Sequence, residues 1–373
     1  MKLKHYAYLI LLCVIIFGIY IFATPTMSGA DTYYYVNGIC GIYPNWPATY
    51  DILFNTFVLF MPCNFVAMKL YLMVLFIIVV LTSAKICELY DGENGWIGGI
   101  IGATFTFMVY EFFQFENDSL GYTIFFISCY FLMKYHLQRK KRDLIIALII
   151  FGIGGLVWRG ILYWTIPFMI LAPITAFIFI PMIAYFWNQF TWFLFPNLLI
   201  AEQQSWIAVV FWGLTTFFLY GLVKIDKKIV SIIALLCVPA LFVVKLYVLP
   251  IPFLIILTFL TIKNLKISMS TIIPFLMTFG LMMAVFYGMQ SEHQFPTSDD
   301  ANLVKNMSLL THKPNNEFGV GYLVEYYGMD ASARGSVTDI NFSGYVITIR
   351  DTNYHGCEVL EESRQLAALK CAN

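Results

Sequence analysis

Apolar stretches long enough to cross a membrane alternate with short polar segments along most of this chain. A membrane-spanning helix needs about 20 predominantly apolar residues. Candidate spans cover residues 6–23, 65–84, 96–113, 119–135, 144–158, 161–179, 181–198, 206–223, 229–247, 249–262 and 268–288. The sequence therefore predicts an all-α polytopic membrane protein with about eleven transmembrane helices. Pro173 and Pro181 mark the predicted interruption between the sixth and seventh helices.

The composition agrees with this class and argues against several others. Hydrophobic residues make up 60% of the chain, charged residues 12%, and the mean hydropathy is +0.76. The net charge is zero and no basic run is interleaved with aromatic residues, so we expect no nucleic-acid partner. The cysteines show no CxxC pair and no metal-binding spacing with histidine. Cys357 and Cys371 would be able to pair if the tail faces an oxidising compartment.

The basic residues predict the orientation in the cell membrane. If there are eleven spans, the basic clusters at residues 2–4, 85, 139–142, 224–228 and 263–266 share one side. That side is predicted to be cytoplasmic by the positive-inside rule. The loop 24–64 and the tail then lie outside. We predict a transmembrane domain over residues 1–289 and a small external α+β domain over residues 290–373, with a strand where side chains alternate over residues 344–350.

Three acidic stations occur at predicted outer ends of spans. They are Asp31, the Glu116-Asn117-Asp118 triplet and Glu202. Each has an ordinary interpretation: Asp31 as the start of a short interfacial helix, Asp118 as a helix cap in a polar turn, and Glu202 as a solvated loop acid. However, carboxylates at a bilayer boundary are costly, and together they would suit a hard divalent cation. We favour a shared metal site.

The other polar residues of interest are an arginine and four histidines. Arg159, at the outer end of a span, would either extend to the lipid headgroups or bind a lipid phosphate. The histidines His136, His293, His312 and His355 have no spacing that indicates catalysis, and we expect them to be solvated.

The order of these motifs resembles the catalytic subunit of oligosaccharyltransferase, a glycosyltransferase of fold class C. That family carries an Asp in its first external loop, an Asp-x-Asp motif in its second, a Trp-Gly segment after its fifth helix and a Glu motif in its fifth external loop. The matching positions here are Asp31, Glu116 with Asp118, the segment 158–160 and Glu202. Glu116 stands where the family has Asp, and the family's Trp-Trp-Asp-Tyr-Gly motif is absent.

The resemblance implies a metal-dependent, inverting transfer of a glycan from a polyprenyl phosphate or diphosphate to an acceptor asparagine. Mg²⁺ or Mn²⁺ would be bound by Asp31, Glu116, Asp118 and Glu202, of which Asp31, Asp118 and Glu202 would also be catalytic. Arg159 would bind the lipid phosphate, and the acceptor-binding residues stay unassigned. The alternatives are a transferase that moves single sugars from a polyprenyl phosphate to a lipid or glycan, and a transporter or scaffold subunit without enzymatic activity.

Overall fold

In the residues that it describes, the computed structural model contains eleven α-helices, one 3-10 turn and four β-strands. The described ranges are 3–23, 30–41, 60–105, 112–113, 115–158, 163–185, 226–240, 249–265, 298–310, 315–316, 344–349, 357–363 and 366–371. The predicted spans at 206–223 and 268–288 and the predicted domain boundary at 289/290 lie outside these ranges. The count of about eleven spans stays a prediction.

The described chain is mainly helical. Its α-helices, in chain order, are α1 (Leu3–Ala23), α2 (Ala30–Ile39), α3 (Phe65–Glu88), α4 (Trp96–Thr104), α5 (Asn117–Gln138), α6 (Lys141–Gly155), α7 (Thr165–Leu171), α8 (Ala176–Tyr185), α9 (Lys227–Ala240), α10 (Ile251–Asn264) and α11 (Ser298–Leu310). Two helices are long and apolar enough to cross a membrane, Leu3–Ile21 within α1 and the whole of α3.

Two predicted spans are interrupted in the structure. Helix α4 ends at Thr104, because the next residue, Phe105, has an extended backbone. At nine residues it is about 14 Å long, so the predicted uninterrupted helix over 96–113 is wrong. The predicted helix over 161–179 is wrong too, because a 3-10 turn at Pro173–Thr175 separates α7 from α8.

Pro181 does not separate two helices. It lies inside α8, which continues to Tyr185, so the predicted break between residues 179 and 181 is wrong. The chain instead turns at Ala172, whose φ and ψ are −136° and 75°. Pro173 follows at the first position of the 3-10 turn, where its missing N–H has no helical partner to lose.

Contacts divide the chain into two compact units, each formed from separated segments. The first contains Met1–Cys13, Val74–Glu111 and Leu120–Met283. Within it, Gly98 of α4 lies directly against Cys87 of α3, so closely that a side chain at Gly98 would collide with the Cys87 sulfur. Small residues allow such close helix packing in membrane proteins. The Ser128 hydroxyl of α5 donates to the Ala147 carbonyl of α6 at 2.8 Å.

The second unit contains Val14–Met73, Phe112–Ser119 and Ala284–Asn373. Its tail combines α11 with strands β1 (Asn315–Asn316), β2 (Gly344–Ile349), β3 (Cys357–Glu362) and β4 (Leu366–Cys371). The sheet order is β1-β2-β4-β3, with β1 parallel to β2 and the other pairs antiparallel. The strand expected over 344–350 is confirmed. The Ser363 hydroxyl, just after β3, donates to Asp300 of α11 at 2.6 Å, and this bond connects the helix to the sheet.

Candidate functional site

The acidic triplet is buried in the second unit. Glu116 and Asp118 are each 3% exposed and Asn117 is 7% exposed. A turn that merely faces water would leave such side chains solvated, and burying a carboxylate is costly unless its charge is compensated. The burial therefore favours a role for these acids beyond forming a turn.

Two of the three acidic stations lie at the starts of helices. Asp118 is the second residue of α5, and Glu116 directly precedes that helix. Asp31 occupies the same second position in α2. The positive end of the helix dipole favours carboxylates in a first turn. This placement also agrees with the ordinary interpretation of Asp31 and Asp118 as residues at helix starts.

A hydrogen bond joins the immediate neighbours of the first two stations. The backbone N–H of Phe115 donates to Oγ1 of Thr32 at 3.0 Å, although the residues are 83 positions apart. Asp31 directly precedes Thr32, and Glu116 directly follows Phe115. Asp31 and Glu116 are therefore each the chain neighbour of a residue in this hydrogen-bonded pair. The Asp31 side chain lies outside the described structure.

Helices α1 and α3 hold the segment that leads into the triplet. The Tyr20 hydroxyl of α1 donates to the Phe113 carbonyl at 2.7 Å, and the two rings stack with centroids 4.2 Å apart. The Tyr71 ring of α3 meets the Phe115 ring edge-on at 5.8 Å. Together with Thr32, these contacts fix the backbone before Glu116 from three helices.

A buried lysine lies beside this segment. Lys69 of α3 is 1% exposed, and its ammonium nitrogen is 4.5 Å from the centroid of the Tyr20 ring. Among the described residues it is the one buried lysine or arginine. In the sequence, Lys69 was counted only as part of the predicted apolar span 65–84. A lysine inside a span, close to its end, was the signal that should have drawn attention.

A disulfide holds α2 close to the beginning of α3. Cys40, just after α2, is bonded to Cys63, and their Cα atoms are 5.0 Å apart. The next residue, Asn64, caps α3 through its side-chain oxygen, which accepts from the Val66 N–H at 2.8 Å. The sequence analysis did not foresee this pair. In the tail, Cys357 is also disulfide-bonded, and Cys371 is its partner in the strand register.

The structure describes part of the expected set of metal ligands. Asp31, Glu116 and Asp118 belong to the same unit, whereas Glu202 and Arg159 lie outside the described residues. Within the described part of the chain, no three His, Cys, Asp or Glu side chains are placed to hold one metal ion. Glu116 and Asp118 supply two buried carboxylates of the hard-oxygen type that Mg²⁺ and Mn²⁺ prefer. The four-residue ligand set stays a prediction.

A second charged cluster lies in the first unit. His136, at the end of α5, is 9% exposed and its Nε2 is 2.9 Å from a carboxylate oxygen of Asp226. The expectation that His136 is solvated is therefore wrong. Asp226 also caps α9, because its other oxygen accepts from the Lys228 N–H at 3.0 Å. Burial alone would raise the pKa of Asp226, but the bonds from Lys228 and His136 lower it overall.

A neighbouring contact in the first unit joins the α3–α4 turn to the end of α10. The Lys263 ammonium is 3.5 Å from the Asp91 carboxylate and donates to the Tyr90 carbonyl at 3.1 Å. Burial would raise the pKa of Asp91, but hydrogen bonds from Asn94 and Glu93 and the charge of Lys263 lower it overall. Residues at the ends of predicted spans, far apart in sequence, are thus joined by polar contacts.

A search of protein-family models finds no match to this chain, and no curated protein matches it. The resemblance to oligosaccharyltransferases therefore depends on the order of the short motifs in the sequence.

Proposed function

We propose that this protein is a multi-pass membrane glycosyltransferase that transfers a glycan from a polyprenyl phosphate or diphosphate to an acceptor, with asparagine of a polypeptide as the preferred acceptor. The observation that carries the proposal is the bond from the Phe115 N–H to Thr32. It joins the immediate neighbours of two acidic stations that are far apart in sequence, which supports a shared site.

The residues around the acidic segment have separate roles in this proposal. Asp31, Glu116, Asp118 and Glu202 would hold Mg²⁺ or Mn²⁺, which stabilises the negative charge on a leaving lipid phosphate. Burial of Glu116 and Asp118 limits access of water, which would otherwise compete with the acceptor. A carboxylate on the acceptor side would accept a hydrogen bond from the acceptor amide and orient its nitrogen for attack.

Outward apolar stripes support the multi-pass arrangement. Exposed large apolar side chains recur every four residues along α1, α3 and α6, a spacing that puts them on one face of each helix. They are Leu11, Ile15 and Ile19; Val66, Leu70 and Val74; and Ile145, Ile149 and Ile153. Continuous exposed apolar faces suit contact with lipid tails and are uncommon on water-facing surfaces. Helix α6 adds such a face although it has only 15 residues.

Disulfides support the proposed orientation. The Cys40–Cys63 bond and the half-cystine Cys357 lie in the two regions that the basic-residue distribution assigns to the outside. Disulfides persist mainly in oxidising, non-cytoplasmic compartments. Cys13, Cys129 and Cys237 in predicted membrane spans and Cys87 just after the predicted span 65–84 are free thiols.

Product analysis tests the proposed reaction. Purified protein with Mn²⁺ and a lipid-linked glycan pool is incubated with Asn-containing peptides, and the products are analysed by mass spectrometry. We expect peptides whose mass increases by that of a glycan, with the product lost in the double variant E116Q/D118N and kept in the control D226N. Transfer to lipid or free glycan would favour the single-sugar transferase. Failure to transfer to any acceptor would contradict the proposal.

A further inference from the structure

We propose that Lys69 binds the phosphate of the lipid donor, at the membrane end of the acidic segment. The inference rests on the proposed function for the identity of the donor, but the binding it describes can be measured without catalysis. It adds a phosphate-binding residue to Arg159, which the sequence analysis alone suggested.

The first support is the burial of a charge inside an apolar helix. Lys69 is 1% exposed and is the fifth residue of the 24-residue helix α3. It lies about 6 Å along the helix axis from Phe65, given a rise of about 1.5 Å per residue. Ionisable side chains in such positions are expensive and tend to mark binding or transport pathways. A lysine needed only at the headgroups would extend outward instead.

The second support is the position of Lys69 relative to the acidic segment. Its ammonium faces the Tyr20 ring at 4.5 Å, and Tyr20 in turn holds Phe113 by a hydrogen bond and ring stacking. Tyr71, two residues further along α3, contacts Phe115. The turn of α3 that carries Lys69 therefore lies alongside the backbone that leads to Glu116. A donor phosphate between Lys69 and the proposed metal would be attracted by two positive charges.

The third support is the apolar surface on both sides of the Lys69–Tyr20 pair. Leu70 follows Lys69 and is 43% exposed, and Ile19 precedes Tyr20 and is 65% exposed. Val66 on α3 is also exposed. A ligand that joins an anionic phosphate to a long hydrocarbon chain matches this arrangement, since the exposed side chains suit its tail and the buried ammonium of Lys69 suits its phosphate, which would displace the side chains that cover Lys69. A polyprenyl phosphate has this chemistry.

Binding measurements on the full-length protein in nanodiscs test the inference. The probe is a fluorescent polyprenyl monophosphate, with neutral polyprenol as its matched control. We expect Lys69→Met to weaken phosphate binding at least about tenfold, Lys69→Arg to retain most of it, and neither change to alter the weak binding of polyprenol. Lys85→Met is the control variant, because Lys85 lies at the opposite end of α3 and pairs with Glu88 at 2.7 Å. Unchanged binding by folded Lys69→Met would overturn the inference.

A second measurement uses the unmodified protein and avoids variants that fail to fold. A polyprenyl monophosphate with a photoreactive group next to the phosphate should cross-link to α1 or α3 within a few residues of Tyr20 or Lys69. Cross-links confined to other segments would overturn the inference, as would complete competition by ordinary anionic phospholipid, which would make Lys69 a general headgroup contact. If Lys69-dependent binding is found but no glycan transfer, this inference stands and the proposed reaction fails.

Discussion

The backbone N–H of Phe115 donates a 3.0 Å hydrogen bond to the side-chain oxygen of Thr32. Both residues are fully buried, and each is the immediate neighbour of an acidic residue, Glu116 in one case and Asp31 in the other. The threonine hydroxyl accepts this bond without adding a charge. The acidic stations are thus connected through backbone geometry, and changing Thr32 should disturb the site without removing a carboxylate.

We expect Thr32→Val to reduce glycan transfer strongly while costing about 1–3 kcal/mol of stability, because a buried N–H loses its acceptor at nearly constant side-chain shape. Thr32→Ser keeps the oxygen and should retain most activity. The control is Thr82→Val, since the Thr82 hydroxyl bonds only within its own helix, to the Ile78 carbonyl at 2.7 Å. Transfer rates and thermal unfolding midpoints are the measurements. Equal activity of Thr32→Val and the control would contradict this role.

The Cys40–Cys63 disulfide should stabilise the second unit. The two residues are separated by 23 positions, and closing a loop of this size contributes about 3 kcal/mol in chain-entropy terms. Replacing both cysteines by serine should therefore lower the unfolding midpoint measurably. Peptide mapping of the unreduced protein should recover Cys40 and Cys63 in one linked fragment. Alkylation of both thiols in freshly isolated protein would show that this loop is not in an oxidising compartment.

Orientation can be measured with single cysteines at exposed positions. Asn302 in α11 and Lys141 at the start of α6 are both exposed. We expect a cysteine at position 302 to react with a membrane-impermeant reagent in intact cells and a cysteine at position 141 to react only after permeabilisation. Labelling of position 141 alone in intact cells would reverse the proposed orientation and place the acidic segment inside.

Asp226 should stabilise the first unit in a pH-dependent manner. Asp226→Ala removes a helix cap and the partner of His136, which should cost about 1 kcal/mol at neutral pH. Because the folded-state pKa of Asp226 is lowered below 3.8, its ionic contribution is present above that value and is lost as the pH falls through the folded-state pKa. In unfolding midpoints measured from pH 7 to pH 3, the difference between the wild type and the variant should begin to shrink as the pH falls below 3.8. A constant difference over this range would assign the effect to capping geometry alone. Asp226→Asn, which keeps a cap, serves as the control.

The sequence predicted helix locations better than helix ends. Apolar runs located α1, α3 and α5 because burial in lipid requires continuous hydrophobicity, whatever the detailed packing. They did not reveal that α4 ends at Thr104 or that Pro181 lies within α8. Such ends depend on local hydrogen bonds and dihedral angles, which hydropathy does not report.

In the candidate site, too, the sequence pattern identified some residues, whereas others were recognised only from their contacts in the structure. Residue type and order singled out Asp31, Glu116 and Asp118, because carboxylates at span ends stand out against an apolar background. Lys69 stands inside a predicted span in the sequence, but its burial beside Tyr20 was not predictable, because that contact joins positions 49 residues apart. The pairing of Cys40 with Cys63 was missed for a related reason, because spacing alone cannot assign disulfide partners.

The most direct test of the account is whether one divalent cation binds at the acidic stations. Electron paramagnetic resonance follows the loss of the free Mn²⁺ signal as purified protein is added, and Mg²⁺ is then used as the competitor. We expect one Mn²⁺ per protein, with binding at least about tenfold weaker in Asp31→Asn and in Asp118→Asn and unchanged in Asp226→Asn. Wild-type protein that leaves the free Mn²⁺ signal unchanged, or variants that bind Mn²⁺ as tightly as the wild type, would contradict the proposed metal site.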